Sequence, residues 1–161
     1  MNDELSIEKS LEGLIIGEWS ITNFSSENAV LTSDTLDKKT TTNVKNSGSD
    51  YDFILNFKED PKQLTATGDF AITMTGDSDA SPFLNSFKCT DFLHELLIGD
   101  WGIINSNLYI STDDVHASIL IVDLTDTQLK LNIEIDQTID NNGTDANLNS
   151  IFCLTFTRTK Q

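Results

Sequence analysis

The chain contains the motif LIIGEWSI at residues 14–21 and repeats it as LLIGDWGI at residues 96–103. Both copies consist of three apolar residues, glycine, an acidic residue, tryptophan, a small residue and isoleucine. Trp19 and Trp101 are the only tryptophans, and they lie about half the chain length apart, which indicates two structurally similar halves. Each copy places a Gly-x-Trp step inside a strand-like run. This pattern points to a closed antiparallel barrel.

Apolar and polar residues alternate along much of the remaining chain, most clearly over residues 64–75. The predicted strands cover residues 14–24, 51–57, 64–75, 94–104, 108–112, 117–124, 129–136 and 151–158. The polar stretches 25–50 and 137–149 are predicted to be loops. No helix long enough for a parallel crossover is predicted. The expected fold is therefore all-β, an eight-stranded up-and-down antiparallel barrel.

The domain organisation follows from the same pattern. Residues 1–13 are predicted to form a lead with a short helical turn that ends at Gly13. Residues 14–161 are predicted to form a single barrel domain, a usual size for one core. The connection 76–92 contains Phe83, Phe87 and Phe92, and both a lid and a short helix are open interpretations for it.

The net charge of the chain is −16, with only ten scattered Lys and Arg residues. Nucleic acids and anionic membrane surfaces are therefore poor partners. No stretch approaches the roughly 20 apolar residues of a membrane-spanning helix. The first residues lack the basic and apolar regions of a signal peptide. A cytoplasmic protein and a mature form whose leader was removed are both open interpretations.

Few residues suggest catalysis or metal binding. His94 and His116 have no Cys or His partner at metal-ligand spacing, and no nucleophile elbow or phosphate-binding glycine loop occurs. The acidic residues at 140–145 fail the calcium-loop spacing, and Asn142-Gly143 favours a turn between the last two strands. No enzyme activity, metal or cofactor is predicted.

The two cysteines leave two interpretations open. Cys89 and Cys153 are too far apart in sequence for local metal-type spacing. They are either two independent small buried residues or one disulfide, which would favour an oxidising compartment.

The inward faces of the predicted strands are rich in large apolar residues. These residues either line a pocket for an apolar ligand or fill the barrel as a solid core. The candidate ligand-binding residues are Tyr51, Phe53, Leu55, Phe57, Phe70, Ile72, Leu131, Ile133, Phe152 and Leu154.

The Gly-x-Trp step at Gly17 and Trp19, after a short helix-like lead, resembles the signature of the lipocalin family. In lipocalins, a basic residue at the end of the last strand packs across this tryptophan and closes the floor of the barrel. Arg158 occupies the matching place, so the resemblance implies a floor made of Gly17, Trp19 and Arg158. A guanidinium stacked on an indole contributes roughly 0.5–2 kcal/mol.

The chain resembles more closely the small lipocalin-like domains of secreted and lipid-anchored proteins of Bacteroidetes-type bacteria. The similar segments are residues 16–21, 57–60, 66–70, 99–103, 124–131 and 154–158. The resemblance implies an envelope protein that is secreted, periplasmic or anchored to the outer membrane after leader removal. The expected function is non-enzymatic binding of a small apolar or amphiphilic molecule. The alternative is an interaction or structural module with a filled barrel and protein partners on its loops.

Overall fold

The computed structural model describes residues 11–35, 38–76, 85–88, 94–112, 116–141 and 144–160. A helical turn, α1, occupies residues 11–15, and a 3₁₀ turn covers His94–Leu97. The strands are β1 (Gly17–Thr35), β2 (Lys38–Lys58), β3 (Gln63–Gly76), β4 (Asn85–Lys88), β5 (Gly99–Ile104), β6 (Asn107–Ser111), β7 (His116–Leu124), β8 (Gln128–Asn141) and β9 (Thr144–Lys160). No helix in these ranges has the length and apolar character needed to cross a membrane.

Eight strands close into a ring. The sheet runs in the order β2-β1-β9-β8-β7-β6-β5-β3, and β2 also pairs with β3. Every neighbouring pair is antiparallel. The eight-stranded up-and-down barrel is therefore confirmed, and its closure removes the exposed edges of an open sheet.

β4 is an additional short strand outside the ring order. It pairs with residues 71–74 of β3, whereas β5 pairs with Gln63 and Leu64 of the same strand. Since β2 occupies the other edge of β3 along its whole length, β4 and β5 share one edge. β4 lies within the segment 76–92, for which a lid or a short helix was an open interpretation.

The alternation of the sequence produces the core. In β3, for example, Leu64, Ala66, Phe70, Ile72 and Met74 are buried. Their polar neighbours face outward because successive side chains of a strand point to opposite faces. The inward residues of all the long strands join one hydrophobic core.

The prediction of a loop over residues 25–50 is wrong. β1 and β2 occupy almost all of this stretch and pair up to Thr35 and Lys38. The alternation is hidden because bulges interrupt it: the β1–β9 register shifts between Glu27 and Val30, and Asn28 has a φ of 52°. A bulge adds one residue and reverses which residues face inward, and Asn tolerates the left-handed conformation.

The prediction of a loop over residues 137–149 is also wrong. β8 and β9 pair continuously from Asp136 with Asn149 to Asn141 with Thr144. The predicted turn at Asn142-Gly143 lies outside the described residues, as do Phe83, Phe92 and Cys89. Phe87 lies in β4, and its side chain is outside the description.

The first strand begins later than predicted. α1 continues past Gly13 to residue 15, and β1 begins at Gly17 rather than at residue 14. The physical reason is that Ile15 is fully buried and its carbonyl accepts a hydrogen bond from Trp19. The apolar residues before Gly17 therefore cover the end of the barrel instead of extending the strand.

Candidate functional site

One end of the barrel, here called the floor, is closed by the first Gly-x-Trp copy. Gly17 has a φ of 126°, a conformation that favours glycine. Trp19 is completely buried, and its Nε1 donates a hydrogen bond of 2.7 Å to the carbonyl of Ile15. The Cζ atom of Arg158 lies 4.2 Å from the centre of the Trp19 ring. The structure thus brings together the three residues that the lipocalin resemblance places at the floor.

Arg158 also ties three backbone carbonyls together. Its Nε donates to Asp126 O at 2.8 Å, its Nη1 donates to Ile16 O at 2.7 Å, and its Nη2 donates to Leu14 O. Burial lowers the pKa of the Arg158 guanidinium from its ordinary value, and the charge of Asp126 opposes this shift. Because arginine stays protonated in proteins, these bonds persist across the pH range of a folded protein.

The second Gly-x-Trp copy lies at the same floor. Gly99 has a φ of 131°, close to that of Gly17, and Trp101 is 5% exposed. The Nε1 of Trp101 donates to Lys58 O at 2.8 Å, and Lys62 Nζ lies 5.4 Å from its ring centre. The Phe57 ring meets the Trp101 ring edge-on at 5.5 Å, and Phe57 pairs with Gly17. The two copies are therefore neighbours, which sequence reasoning did not predict.

Glu12 of α1 joins the lead to the second copy. Its Oε1 lies 2.5 Å from Lys62 Nζ, and its Oε2 accepts a hydrogen bond of 3.2 Å from Ile103 N. The helical turn is thereby attached to β5 and to the β2–β3 connection. The floor is a structural closure built from both halves of the chain.

Above the floor, the interior contains a group of touching aromatic rings, here called the aromatic block. Phe24 lies 4.9 Å from Phe152 and 5.3 Å from Phe70, and Phe53 lies 5.8 Å from Phe70, measured between ring centres. These four side chains come from β1, β2, β3 and β9. Direct contact between rings from separate strands fills this level of the barrel.

The ten predicted ligand-binding residues all face this core. Nine of them are buried, and Tyr51 is partly buried beside Phe70. The Tyr51 hydroxyl accepts a hydrogen bond of 2.9 Å from Phe24 N. Of the ten, Phe53, Phe70 and Phe152 are members of the aromatic block. Their mutual contacts favour the solid-core interpretation at this level.

Toward the opposite end, three inward or buried polar residues interrupt the apolar core. We call Ser26, Asn46 and Ser150 the polar strip; they lie on β1, β2 and β9, three adjacent strands. Asn46 is 3% exposed, and its backbone N and its Nδ2 donate to Ser26 Oγ at 2.9 and 3.2 Å. Ser150 Oγ donates to the carbonyl of Glu27 at 3.4 Å.

One atom of the polar strip has no partner. The Oδ1 atom of Asn46 is buried and accepts no hydrogen bond from any residue in the described ranges. Most buried polar atoms in folded proteins are paired, because an unpaired acceptor loses its bond to water without a replacement. This amide oxygen is therefore ready to accept a hydrogen bond inside the barrel.

The wall of the barrel is interrupted beside the polar strip. The ladder of β1 and β2 is broken between the pair Ser25–Ser47 and the pair Val30–Asn43. Residues 26–29, here called the bulge, stand opposite residues 44–46. The same bulge shifts the register of β1 against β9. Against β9, Ser26 and Glu27 keep their partners, and only Asn28 and Ala29 are left out of the ladder.

A groove follows each side of the bulge, and Asn28 lines both. The groove on the β2 side has a volume of about 420 Å³ and reaches the buried residues Ala29 and Val44. The groove on the β9 side has a volume of about 410 Å³ and reaches the buried residues Ile135 and Ser150. Inward-facing residues therefore line grooves that open at the outer surface.

The remaining candidates from the sequence, the histidines and cysteines, do not form a common site in the part of the chain that the structure describes. His94 lies in the 3₁₀ turn and His116 begins β7, and their side chains are outside the description. Cys153 has no disulfide partner in the described part of the chain, and burial, then the charge of Glu27, raises the pKa of its thiol. Within the same ranges, no three His, Cys, Asp or Glu residues are grouped to hold a metal.

Sequence reasoning missed Ser26, Asn28, Asn46 and Ser150, because all four lie in stretches predicted as loops or outside the predicted strands. A usable signal was present in short alternating runs such as Val44-x-Asn46 and Leu148-x-Ser150-x-Phe152. Comparison of the chain with protein-family models, curated proteins and solved structures finds no match. The chemistry of the site is therefore inferred from its own residues.

Proposed function

We propose that the chain is a non-enzymatic, lipocalin-like binding protein for a small amphiphilic molecule, held in the barrel above the aromatic block. The observation that carries the proposal is the unpaired, buried Oδ1 atom of Asn46 in an otherwise apolar interior. An amphiphile would place its apolar part against the core and its polar part on this amide. Pockets of this kind typically combine apolar walls with few polar groups.

The sizes of the inward residues support a ligand site at the level of the polar strip. Toward the floor they include Trp19, Phe57 and Phe156 beside Ala66, whereas Ala29 lies next to the polar strip and Ala146 lies four residues beyond it on β9. Small residues on inward faces leave room that large ones fill. The grooves of about 420 and 410 Å³ fall within the ~300–1,000 Å³ range of small-molecule sites.

Binding is favoured over catalysis by the chemistry of the polar strip. It consists of one amide and two hydroxyls, which bind and orient a ligand. A serine hydroxyl becomes a nucleophile only beside a base, and neither described hydroxyl bonds to one: Ser26 accepts from Asn46 and Ser150 donates to a carbonyl. The proposal includes an envelope location, in which the protein is secreted, periplasmic or anchored to the outer membrane.

The proposal is tested by native mass spectrometry of the full chain after mild purification and after addition of a medium-chain alcohol. We expect a bound small molecule of defined mass. Ala146→Leu, which adds volume inside the barrel between the polar strip and the end opposite the floor, is expected to reduce its occupancy. Ser118→Leu, on an exposed position of β7, is the matched control and should leave occupancy unchanged. Absence of any adduct in the unmodified chain would contradict the proposal.

A second candidate function is an interaction module with a filled barrel. Ile104, Tyr109, Leu120 and Val122 are large, apolar and exposed on the outer face of β5, β6 and β7. The net charge of −16 favours a protein partner whose apolar contact surface has a basic rim. If this function is correct, Leu120→Ser combined with Val122→Ser should abolish co-purification of one identified partner. Equal recovery of that partner with both chains would contradict it.

A further inference from the structure

We infer that the ligand is held at the bulge of β1, in the interrupted wall, and that its head group is a hydrogen-bond donor bound by Asn46 Oδ1. This inference rests on the proposed binding function and adds the place of the site and the chemical class of the ligand. The class is an apolar chain that ends in an alcohol, an amide N–H or an ammonium group. We call Ser26, Asn28, Asn46 and Ser150 the bulge site.

The position of the site follows from the backbone pairing of β1 with β2 and β9. The pairing of β1 is interrupted at two levels. Over residues 21–24 the ladder with β2 is broken, but the Tyr51 hydroxyl accepts a hydrogen bond from Phe24 N at this level. Over residues 26–29 the ladder with β2 is broken again, and Asn28 and Ala29 are also left out of the ladder with β9. The grooves on the two sides of Asn28 lead from the outer surface to Ala29, Val44, Ile135 and Ser150. Asn46 itself lines neither groove, but its hydrogen-bond partner Ser26 and its neighbour Lys45 line the groove on the β2 side. A ligand in this groove would therefore lie next to Asn46 without entering through an end of the barrel.

The inference that the ligand's head group is a hydrogen-bond donor follows from the hydrogen bonds that the side chains of the bulge site already make with each other and with the backbone. The Nδ2 of Asn46 donates to Ser26 Oγ, which leaves Oδ1 as the amide's unpaired acceptor. Ser150 Oγ uses its hydrogen in the bond to Glu27 O, so its lone pairs remain available as acceptors. Ser26 Oγ accepts two bonds and retains one hydrogen. Asn46 and Ser150, the two buried members of the bulge site, therefore each keep an acceptor available for a ligand.

The charges differ between the two grooves, and those on the β9 side disfavour an anionic head group. Glu134 and Asp136 are exposed and line this groove, and Glu27 belongs to the bulge itself. Lys45 lines the groove on the β2 side. Carboxylates at the rim repel an anionic head group and favour a neutral donor or a cation. A fatty-acid carboxylate is thus the wrong ligand for the β9 side.

The experiment is calorimetric titration of the full chain with three probes of equal heavy-atom number. Decan-1-ol and decylamine have a donor, whereas methyl nonyl ether has only an acceptor. We expect the alcohol and the amine to bind roughly tenfold more tightly than the ether, the effect of one buried hydrogen bond. Asn46→Leu should remove this difference, and Asn46→Asp should strengthen the preference for the amine.

Two further variants locate the site. Ala29→Leu, which narrows the groove beside the bulge, should weaken all three probes. Asn132→Leu, on β8 away from the bulge, is the matched control and should leave all three unchanged. Since Asn46→Leu removes an unpaired buried acceptor, its thermal midpoint should not fall, whereas a purely structural asparagine would lower it.

The outcomes separate the inference from the function on which it rests. If all three probes bind equally well, or if Asn46→Leu retains the preference for donors, the inference is overturned while ligand binding stands. If binding is unaffected by Ala29→Leu but lost in Ala146→Leu, the ligand lies nearer the end of the barrel opposite the floor and the place of the site is wrong. If no probe binds the unmodified chain, the proposed function itself fails.

Discussion

The two Gly-x-Trp copies have nearly the same sequence and nearly the same backbone at the glycine, yet their tryptophans are covered differently. Over Trp19 lies a guanidinium at 4.2 Å that also bonds to three carbonyls. Near Trp101 lies an ammonium group at 5.4 Å that pairs with Glu12. Both indole N–H groups reach a backbone carbonyl.

The difference shows what the motif determines and what it leaves to the rest of the fold. Each copy alone specifies a strand start, an inward tryptophan and a carbonyl acceptor for its N–H group. The cation comes from a distant segment, β9 for Trp19 and the β2–β3 connection for Trp101. Only a planar guanidinium can stack on an indole and bond to several carbonyls at once. The first copy is therefore expected to contribute more to stability.

The largest effect is expected from removing each tryptophan in turn. Trp19→Ala should lower the free energy of unfolding by about 4 kcal/mol, because it leaves a cavity and frees Arg158 from its stacking partner. Trp101→Ala, at a slightly more exposed site with a looser cation, should cost about 1 kcal/mol less. Urea denaturation of both variants measures the difference. If both variants lost the same free energy of unfolding, the difference between the two cations would have no effect on stability.

The shared glycine conformation is tested by Gly99→Ala. A Cβ at this position would lie 2.3 Å from Ser111 O, and the φ of 131° is unfavourable for alanine. We expect a loss of about 3 kcal/mol. Gly102→Ala in the same strand is the control, since the nearest atom to its Cβ would be Glu12 Oε2 at 4.0 Å. Thermal denaturation showing equal losses would contradict this account.

Exchanging the two cations tests whether their shapes matter. Arg158→Lys should cost about 2 kcal/mol, because an ammonium group cannot replace the bonds to Leu14, Ile16 and Asp126. Lys62→Arg should change stability by less than about 0.5 kcal/mol, because this site needs only a point charge. Chemical denaturation of both variants gives the comparison. If Arg158→Lys left the free energy of unfolding unchanged, a stacked positive charge without the three carbonyl bonds would be enough to stabilise the first copy.

The smallest effect is expected at the ion pair of the second copy. Glu12→Gln should cost about 0.5 kcal/mol, because the pair with Lys62 is partly exposed and exposed pairs contribute little. The loss should shrink at high salt, which screens exposed charges. Unfolding measured at low and high ionic strength checks this. If Glu12→Gln lowered the free energy of unfolding by more than about 2 kcal/mol at both ionic strengths, Glu12 would stabilise the fold mainly through its hydrogen bond from Ile103 N.

Much of the fold could be predicted because apolar residues and strand geometry share a period of two. The repeated motif and the clean alternation of β3 indicate the closed barrel from the sequence alone. The upper parts of β1, β2, β8 and β9 were missed for a physical reason. Bulges near Thr22, Asn28 and Asp50 reverse the inward face, and many residues there are polar, so no long alternation survives.

The candidate site was less predictable than the fold. In the sequence, Asn46 cannot be distinguished from the other polar residues around it. Only the structure shows that its side chain is buried on β2, between β1 and β3. The ten inward residues selected from the sequence are large apolar ones. Large residues fill space, whereas the grooves at the bulge reach the core at smaller or polar residues such as Ala29, Val44 and Ser150.

Closure of the ring has a consequence for how the chain reaches this structure. β1 pairs with β9, which is distant in sequence, and Glu18 stands opposite Lys160. During synthesis, β1 must wait until residues 144–160 have emerged from the ribosome before its second partner is present. Such distant pairing slows folding, and the waiting edges of β1 and β8 can meet other chains. A nascent barrel of this kind depends on protection until its final strand arrives.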